Sequence, residues 1–335
     1  MDPSPSLMED NMIFIDNKTT NPHFNLALEE YLLTKFDDEV FMIWQNEKSI
    51  IVGKNQNTLS QINYEYVRAN KINVARRITG GGTVYHDHGN LNYTFISKFN
   101  GEFNLYSVFV APIIEVLNDL GAKAELKGRN DIVIKDKKIS GNAQCVLSNR
   151  ILCHGTLLYD SNIDVLETAL DVAGTAVSSV GVKSVRSRVT NILEQLDQQI
   201  DIDAFRTLVI AKIVDKYNAV RYELSPDDIA QVNKKVEEKF GTWDWNYGYS
   251  PAYSFKKKIR KGPGDIEFNI EVKDGIIKEV KIFGDFFSQL DKIDIETALK
   301  GIRHNPELVT EVLSKFDIDK YFWSLTIDDL IECMF

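Results

Sequence analysis

Apolar positions recur at two spacings along the 335 residues, one near 3.6 and one near 2, so the pattern predicts helices interspersed among strands. Pro22 after Thr20-Asn21 is a good helix opening, and Phe24, Leu28, Tyr31 and Leu32 then recur at helical spacing with Glu29 and Glu30 turned outward. The runs 40–44 and 49–52 are rich in β-branched and aromatic residues, and the polar connector Gln45-Asn46-Glu47-Lys48 predicts that they pair as a hairpin. Residues 73–77, 92–96, 131–134 and 150–159 have similar strand character. Lys135-Asp136-Lys137 predicts a tight turn that returns the chain into Lys138-Ile139-Ser140. Helical patterns cover 106–120, 163–173, 204–217 and 230–240. The predicted class is α/β (α+β), with mixed, largely antiparallel sheets flanked by helices.

The pattern changes after Trp243-Asp244-Trp245-Asn246-Tyr247-Gly248: Lys256-Lys257-Lys258, a Gly262-Pro263-Gly264 turn, a hairpin around Asp274-Gly275 and two helical stretches follow. Residues 11–248 and 254–335 are therefore read as two domains, a division that the length favours. Residues 1–10 lack a basic flank and an apolar core, and read as a disordered or added leader rather than a signal peptide.

Composition narrows the function classes. A formal net charge of -10 argues against a protein that grips a nucleic-acid backbone, and no uninterrupted apolar run suggests a membrane span. Cys145, Cys153 and Cys333 are odd in number and show no CxxC spacing, which disfavours a disulfide framework or structural zinc and fits a reducing cytoplasm.

Three segments carry candidate chemistry. The first is Arg76-Arg77-Ile78-Thr79-Gly80-Gly81-Gly82-Thr83-Val84-Tyr85-His86-Asp87. Glycines let backbone N–H groups approach an anion closely, and Arg77 offers a planar fork to a carboxylate or phosphate; a bare glycine run would be only a flexible hairpin tip. The P-loop pattern is absent. The second is Gly128-Arg129-Asn130-Asp131 with Lys138-Ile139-Ser140-Gly141-Asn142-Ala143, which converges charges on one end of a hairpin. Lone lysines are usually exposed, but Gly141 and Ala143 are small and leave room for a ligand beside Lys138. The third is the run from Gly181 to Asn191, in which Lys183, Arg186 and Arg188 form either a solvated basic loop or a phosphate cover. His86 and His88 have no third ligand at a sensible spacing and read as structural or hydrogen-bonding. His154, within an apolar strand, reads as a satisfied core histidine, and Cys145 and Cys153 as small buried hydrophobes.

Taken in order and spacing, these segments resemble the lipoate-protein ligase family, from Phe24-Asn25-Leu26-Ala27 through Trp243-Asp244-Trp245-Asn246-Tyr247-Gly248 and into an accessory C-terminal domain. Departures are mild: Tyr85 stands where a Phe is also seen, and the Lys135-Asp136-Lys137 turn is shorter than in some members. The resemblance implies a biotin/lipoate ligase-like catalytic domain that uses ATP to form lipoyl-AMP and transfers the lipoyl group to a lysine of lipoyl-domain acceptor proteins. Such acceptors are 2-oxoacid dehydrogenase subunits and the glycine cleavage carrier.

By the same resemblance Lys138 is catalytic, and Arg77, Gly82, Thr83, Val84, Tyr85, Asn130, Asp131, Lys138, Lys183 and Arg186 contact ATP or lipoyl-AMP. Gly81, Gly82, His86, Lys138, Gly141 and Ala143 contact lipoate. Mg²⁺ comes with the ATP phosphates, with Asp131 as a candidate ligand. The rival readings are an ATP-independent octanoyl or lipoyl transferase, which needs a cysteine nucleophile that the Gly128-Arg129-Asn130-Asp131 hairpin lacks, and a noncatalytic lipoate binder. A biotin ligase is a weaker relative, since its Gly-Arg-Gly-Arg motif is missing.

Overall fold

A computed structural model of the chain describes residues 12–102, 105–171, 177–179, 189–261, 264–286 and 288–335, with 177–179 and 264 described by backbone alone. Strand β1 (Met12–Asp16) leads into α1 (Pro22–Lys35), where the Asn21 side chain accepts from the His23 and Phe24 amides and Pro22 fills the first turn. Next come β2 (Glu39–Trp44), β3 (Ser49–Val52), α2 (Tyr64–Ala69), β4 (Asn73–Arg76), β5 (Val84–His86) and β6 (Asn90–Lys98). Helix α3 (Tyr106–Asp119) precedes β7 (Glu125–Lys127), β8 (Asp131–Ile134), β9 (Lys137–Leu147) and β10 (Arg150–Leu158).

After α4 (Ile163–Ala169) and β11 (Val177–Ser179) the chain forms α5 (Ile202–Tyr217), β12 (Val220–Arg221) and α6 (Pro226–Lys235). The last helix begins ahead of the expected start at 230, because Ser225 and Asp228 form a capping box and Pro226 opens the first turn. A π turn, Val236–Phe240, completes it. The remainder is β13 (Tyr253–Lys261), β14 (Gly264–Lys273), β15 (Ile276–Gly284), α7 (Ile293–Leu299), α8 (Pro306–Leu313), α9 (Ile318–Tyr321) and α10 (Ile327–Met334), where the sequence pattern had predicted two helical stretches.

The sheets are mixed and mostly antiparallel. The largest has the order β12-β1-β2-β6-β10-β9-β8-β7; β4-β3-β5 and β11-β13-β14-β15 form two smaller ones. The expected hairpin between 40–44 and 49–52 does not form. β2 lies between β1 and β6 in the large sheet, whereas β3 pairs with β4 and β5. The connector is held away from a turn by two contacts: the Asn25 side chain donates to Gln45 O at 2.8 Å, and the Glu47 amide donates to Thr20 O at 2.8 Å. Every residue of both strands is buried, so each needs cover on two faces, which a two-stranded ribbon does not give.

The large sheet has one apolar face. Phe41, Phe95, Cys153, Ile132 and Ile139 pack there with Phe109 and Val110 of α3 and Phe205 and Val209 of α5. Register places Met42, Thr94, His154 and Ala143 in one row on the opposite face. Contacts of His154 show what covers that row: Glu29 of α1 and Thr79 of the loop between β4 and β5.

The described residues cluster into two compact units. One holds the residues up to Lys54, Ile72–Glu167 and the residues leading to Thr242; the other gathers Asn55–Lys71 and the residues after Thr168 with Trp243–Phe335. The second unit has its own apolar core, in which Phe255, Phe268, Ile270 and Ile282 pack with Leu299, Val309, Phe322 and Leu330. Its β14–β15 hairpin turns at Asp274 and Gly275, both at positive φ (55° and 70°), as the sequence predicts for that pair. No helix among the described residues is long and apolar enough to cross a membrane.

Candidate active site

Beyond Arg76 the chain leaves β4 and loops through the three glycines into β5. The Arg77 amide donates to Val52 O at 3.0 Å and the Lys54 amide to Thr79 O at 2.9 Å, which carries the β3 pairing into the loop. Gly81 has φ of 97°, where side chains are strained, and a Cβ there would stand 3.0 Å from Arg77 Nη2. Arg77 is buried, and its fork is engaged with the loop itself. Nη2 donates to Gly80 O at 2.9 Å and Gly82 O at 2.6 Å, Nη1 to Ile51 O at 3.2 Å, and Nε to Thr79 Oγ1 at 2.9 Å. In this arrangement the Arg77 fork shapes the loop by binding its own oxygens. Burial pushes the guanidinium down to about 10, so it stays charged at neutral pH.

A buried chain of hydrogen bonds continues from Arg77. Thr79 Oγ1 lies 2.8 Å from His154 Nε2, and His154 Nδ1 lies 2.9 Å from Glu29 Oε1. The same carboxylate oxygen accepts from Thr94 Oγ1 at 2.6 Å, and Trp44 Nε1 donates to Thr94 Oγ1 at 2.9 Å. Arginine only donates, so the Thr79 hydroxyl passes its proton toward Nε2 and the imidazole carries its own on Nδ1, facing Glu29. Every group in the chain is then satisfied, with a cation at one end and an anion at the other. Glu29, expected to face outward, is wholly buried. His154 is the satisfied core histidine that its apolar strand suggested, and it also links the glycine loop to α1.

A second buried chain runs from α1 to β5, the strand that leaves the glycine loop. Asn17 Nδ2 donates to Asn25 Oδ1, Asn25 Nδ2 to Asn46 Oδ1, both at 2.8 Å, and Asn46 Nδ2 lies 3.0 Å from His86 Nδ1. Desolvation, then the Arg77 charge, holds His86 down at about 3, so the ring is neutral.

Lys138 is placed by an irregularity in the ladder. Asp131 pairs with Gly141 and Ile132 with Ser140, but Val133 pairs with Lys138, which leaves Ile139 as an extra residue. Ile139 packs into the apolar core, and Lys138 joins Asp131 and Gly141 on the other face. There Lys138 Nζ lies 2.8 Å from Asp131 Oδ1, the two side chains 26% and 31% exposed, and a Cβ on Gly141 would stand 3.0 Å from Nζ. The turn into β9 has Lys135 and Asp136 at φ of 50° and 62°, the two-residue type that the sequence suggested.

Asn130 braces the open end of this hairpin. Its Nδ2 donates to Asn142 O at 2.5 Å, and Asn142 Nδ2 returns to Asn130 O at 2.9 Å. Ala143 stands opposite His154, so the small residues of β9 lie between the lysine and the glycine-loop network. The Thr190 amide donates to Lys138 O at 3.0 Å and Val189 bridges to Lys138, so the chain re-enters beside the lysine. Lys183 and Arg186 themselves lie outside the described residues.

The structure thus gathers Arg77, the glycine loop, His86, Asn130, Asp131, Lys138, Gly141 and Ala143 within one compact unit. Sequence reasoning passed over Glu29, Asn25, Asn46, Thr79 and Thr94. One signal was available: Leu26, Ala27, Leu28, Leu32 and Leu33 leave α1 little polar face, and an acid in a helix buried nearly all round needs a partner.

Comparison with known proteins agrees with this architecture. Residues 21–214 match the lipoyl protein ligase A/B catalytic domain, and residues 250–334 match the bacterial lipoate protein ligase C-terminus. The chain belongs to the lipoate-protein ligase family. It is 43% identical over 331 residues to the lipoate-protein ligase LplJ of Bacillus subtilis, covering 97% of this chain and 100% of that protein. Among solved structures it is similar to P. falciparum LipL1 in complex with lipoate, with TM-score 0.61 and 26% identity over 91% of this chain and 95% of that one. A lipoate-protein ligase A bound with ATP gives TM-score 0.60 and 25% identity, over 72% of this chain and 100% of that one.

Proposed function

We propose that the chain activates lipoate with ATP to lipoyl-AMP, releasing pyrophosphate, and then transfers the lipoyl group to a lysine amine of a lipoyl-domain protein, releasing AMP. The observation that carries this reading is Lys138, a half-buried cation turned out of the core onto the face shared with Gly141 and braced by one carboxylate. A carboxylate brought to the α-phosphate of ATP sets two anions together, at a cost of ~4 kcal/mol for unit charges 4 Å apart at an effective dielectric of 20. The Lys138 ammonium has three donors, enough to leave Asp131 and bind both partners while they join.

In this reading the amides of Gly81, Gly82, Thr83, Val84 and Tyr85 face the anionic groups, in a loop that Arg77 holds in shape. Asn130 and Asp131 line the nucleotide side, and Gly141 and Ala143 leave space for the acyl chain beside His86. Lys183 and Arg186 cover the intermediate. Mg²⁺ brought with ATP would be held beside Asp131 and would offset the charge of the pyrophosphate leaving group. Asp131 is a suitable hard-oxygen ligand whose Oδ1 already serves a cation. Residues 11–248 form the catalytic domain and 254–335 an accessory one, a division supported by the two family matches. The acceptors are 2-oxoacid dehydrogenase lipoyl domains and the glycine cleavage carrier. Three free thiols suit a reducing cytoplasm.

A transferase without ATP needs a thiolate. Burial instead pushes Cys145 up to about 12 and raises Cys153 as well, which favours the ligase. The test is incubation with lipoate, ATP, Mg²⁺ and a lipoyl-domain protein, followed by mass spectrometry of the acceptor. A lipoyl mass that depends on ATP is the expected outcome. Transfer from an acylated carrier without ATP would replace the ligase by the transferase, and binding without any transfer would leave a lipoate binder.

A further inference from the structure

The two buried chains that meet beside the glycine loop end differently. The one through Thr79, His154 and Glu29 is closed, each donor facing an acceptor. The one through the asparagines is open: His86 is 3% exposed, and its Nε2 has no hydrogen-bond partner among the described residues. Its protonation follows from the chain itself. Asn25 Nδ2 faces the backbone oxygens of Thr19 and Gln45, at 2.9 and 2.8 Å, and oxygens of that kind only accept, so the amide orientation is fixed. Asn46 therefore presents its oxygen to Asn25 and its Nδ2 to His86. His86 Nδ1 must accept, and the proton of the neutral ring sits on Nε2.

We propose that His86 Nε2–H donates to a carboxyl oxygen of the acyl substrate, carried through as the acyl oxygen of the adenylate, and that Asn25 and Asn46 are positioning residues that fix this tautomer. The inference rests on the ligase reading above and adds an atom, a polarity and a supporting chain to it. A buried N–H without an acceptor is costly, so one persists where a ligand supplies the acceptor. His86 lies four residues past Gly82 and ends β5, the strand that leaves the glycine loop. An oxygen is the acceptor of choice because divalent sulfur accepts weakly, which separates the carboxyl end of lipoate from its dithiolane ring.

The test compares His86→Asn, which keeps an acceptor for Asn46 but loses the distal donor, with His86→Gln, which restores a distal N–H. The assay is ATP–pyrophosphate exchange driven by lipoate or by octanoate, with thermal unfolding as the check on folding. His86→Asn should lower kcat/KM about ten- to hundredfold with both acids, the loss expected for a hydrogen bond to a charged group, and His86→Gln should recover most of it. A loss confined to lipoate would put the donor on the dithiolane and overturn the proposal, as would turnover within about threefold of the parent in His86→Asn.

Should that variant fail to fold, nitrogen NMR of the parent decides. The Nε2–H tautomer should be seen in the free protein, its signal should move when lipoate and ATP bind, and Asn46→Leu should mix the tautomers. A static Nε2 signal sinks the idea. An inactive parent would instead sink the ligase reading, since the proposal fails by itself only where the parent ligates lipoate.

Discussion

The glycine loop between β4 and β5 and the Lys138 hairpin of β8 and β9 are held in opposite ways. At the glycine loop, Arg77 is buried, its side chain makes four hydrogen bonds, and two polar chains tie the loop to α1, β6 and β10. At the Lys138 hairpin, the lysine has one ion pair among the described residues, about a quarter of its side chain is exposed, and the room beside it comes from a missing Cβ. A cradle for an anion works best when it is rigid before the ligand arrives, because its dipoles then need no reorganisation. A cation that must leave one partner and bind two others works best when loosely held. The difference suggests that the loop governs stability and geometry, and the hairpin governs rate.

Lys138→Ala should separate the two most sharply, lowering lipoate-dependent ATP–pyrophosphate exchange by about 10² or more with little change in thermal unfolding. Near-normal exchange would remove Lys138 from the mechanism. Glu29→Leu addresses the opposite side. It leaves the His154 Nδ1–H and the Thr94 hydroxyl without their acceptor, and should cost about 1–3 kcal/mol of stability, read as a lowered urea midpoint. An unchanged midpoint would mean that the chain from Arg77 to Glu29 does not brace the loop.

Gly141→Val pushes a Cβ to 3.0 Å from Lys138 Nζ, whose flexible stem can swing away. Exchange should fall about tenfold while stability holds, since misplacing a reacting group costs rate first. A pH series comes next. His86 has a folded pKa near 3 against an ordinary 6.5, so the unfolded chain binds more protons between these values. The contribution of His86 to stability is complete above about pH 6.5 and is lost as pH falls toward 3, and His86→Asn should flatten that part of the profile. The smallest effect is expected from Asp131→Asn on stability, within about 0.5 kcal/mol, because the pair it breaks is partly exposed.

Much of this contrast could be read from residues before any coordinates. Gly80-Gly81-Gly82 after two arginines, and Gly141 and Ala143 after Lys138, located the loop and the hairpin, because glycine and charge at a strand end have few other uses. The turn at Lys135-Asp136 was legible for the same reason. Strand partners were not. β2 and β3 carry no local mark of their separate sheets, and the contacts that divide them involve Asn25 and Thr20, far back along the chain. Glu29 beside Glu30 looked like solvent-facing charge, since its partners Thr94 and His154 come from β6 and β10. Arg77 pointed correctly to the loop, but whether its fork faces a ligand or the loop's own oxygens depends on a curvature that composition does not encode.

The extra residue opposite Val133 makes the chemistry depend on the parity of a residue count. Were the ladder regular with Ile139 kept in it, Lys138 would stand opposite Ile134 and its ammonium would point toward hydrocarbon without any charged residue having changed, whereas removing Ile139 leaves Lys138 opposite Val133. Substitutions at Lys135 or Asp136 leave that count alone. Deletion of Ile139 should therefore keep the lysine on its face and cost core packing, whereas a change that straightens the bulge with every residue kept should abolish pyrophosphate exchange.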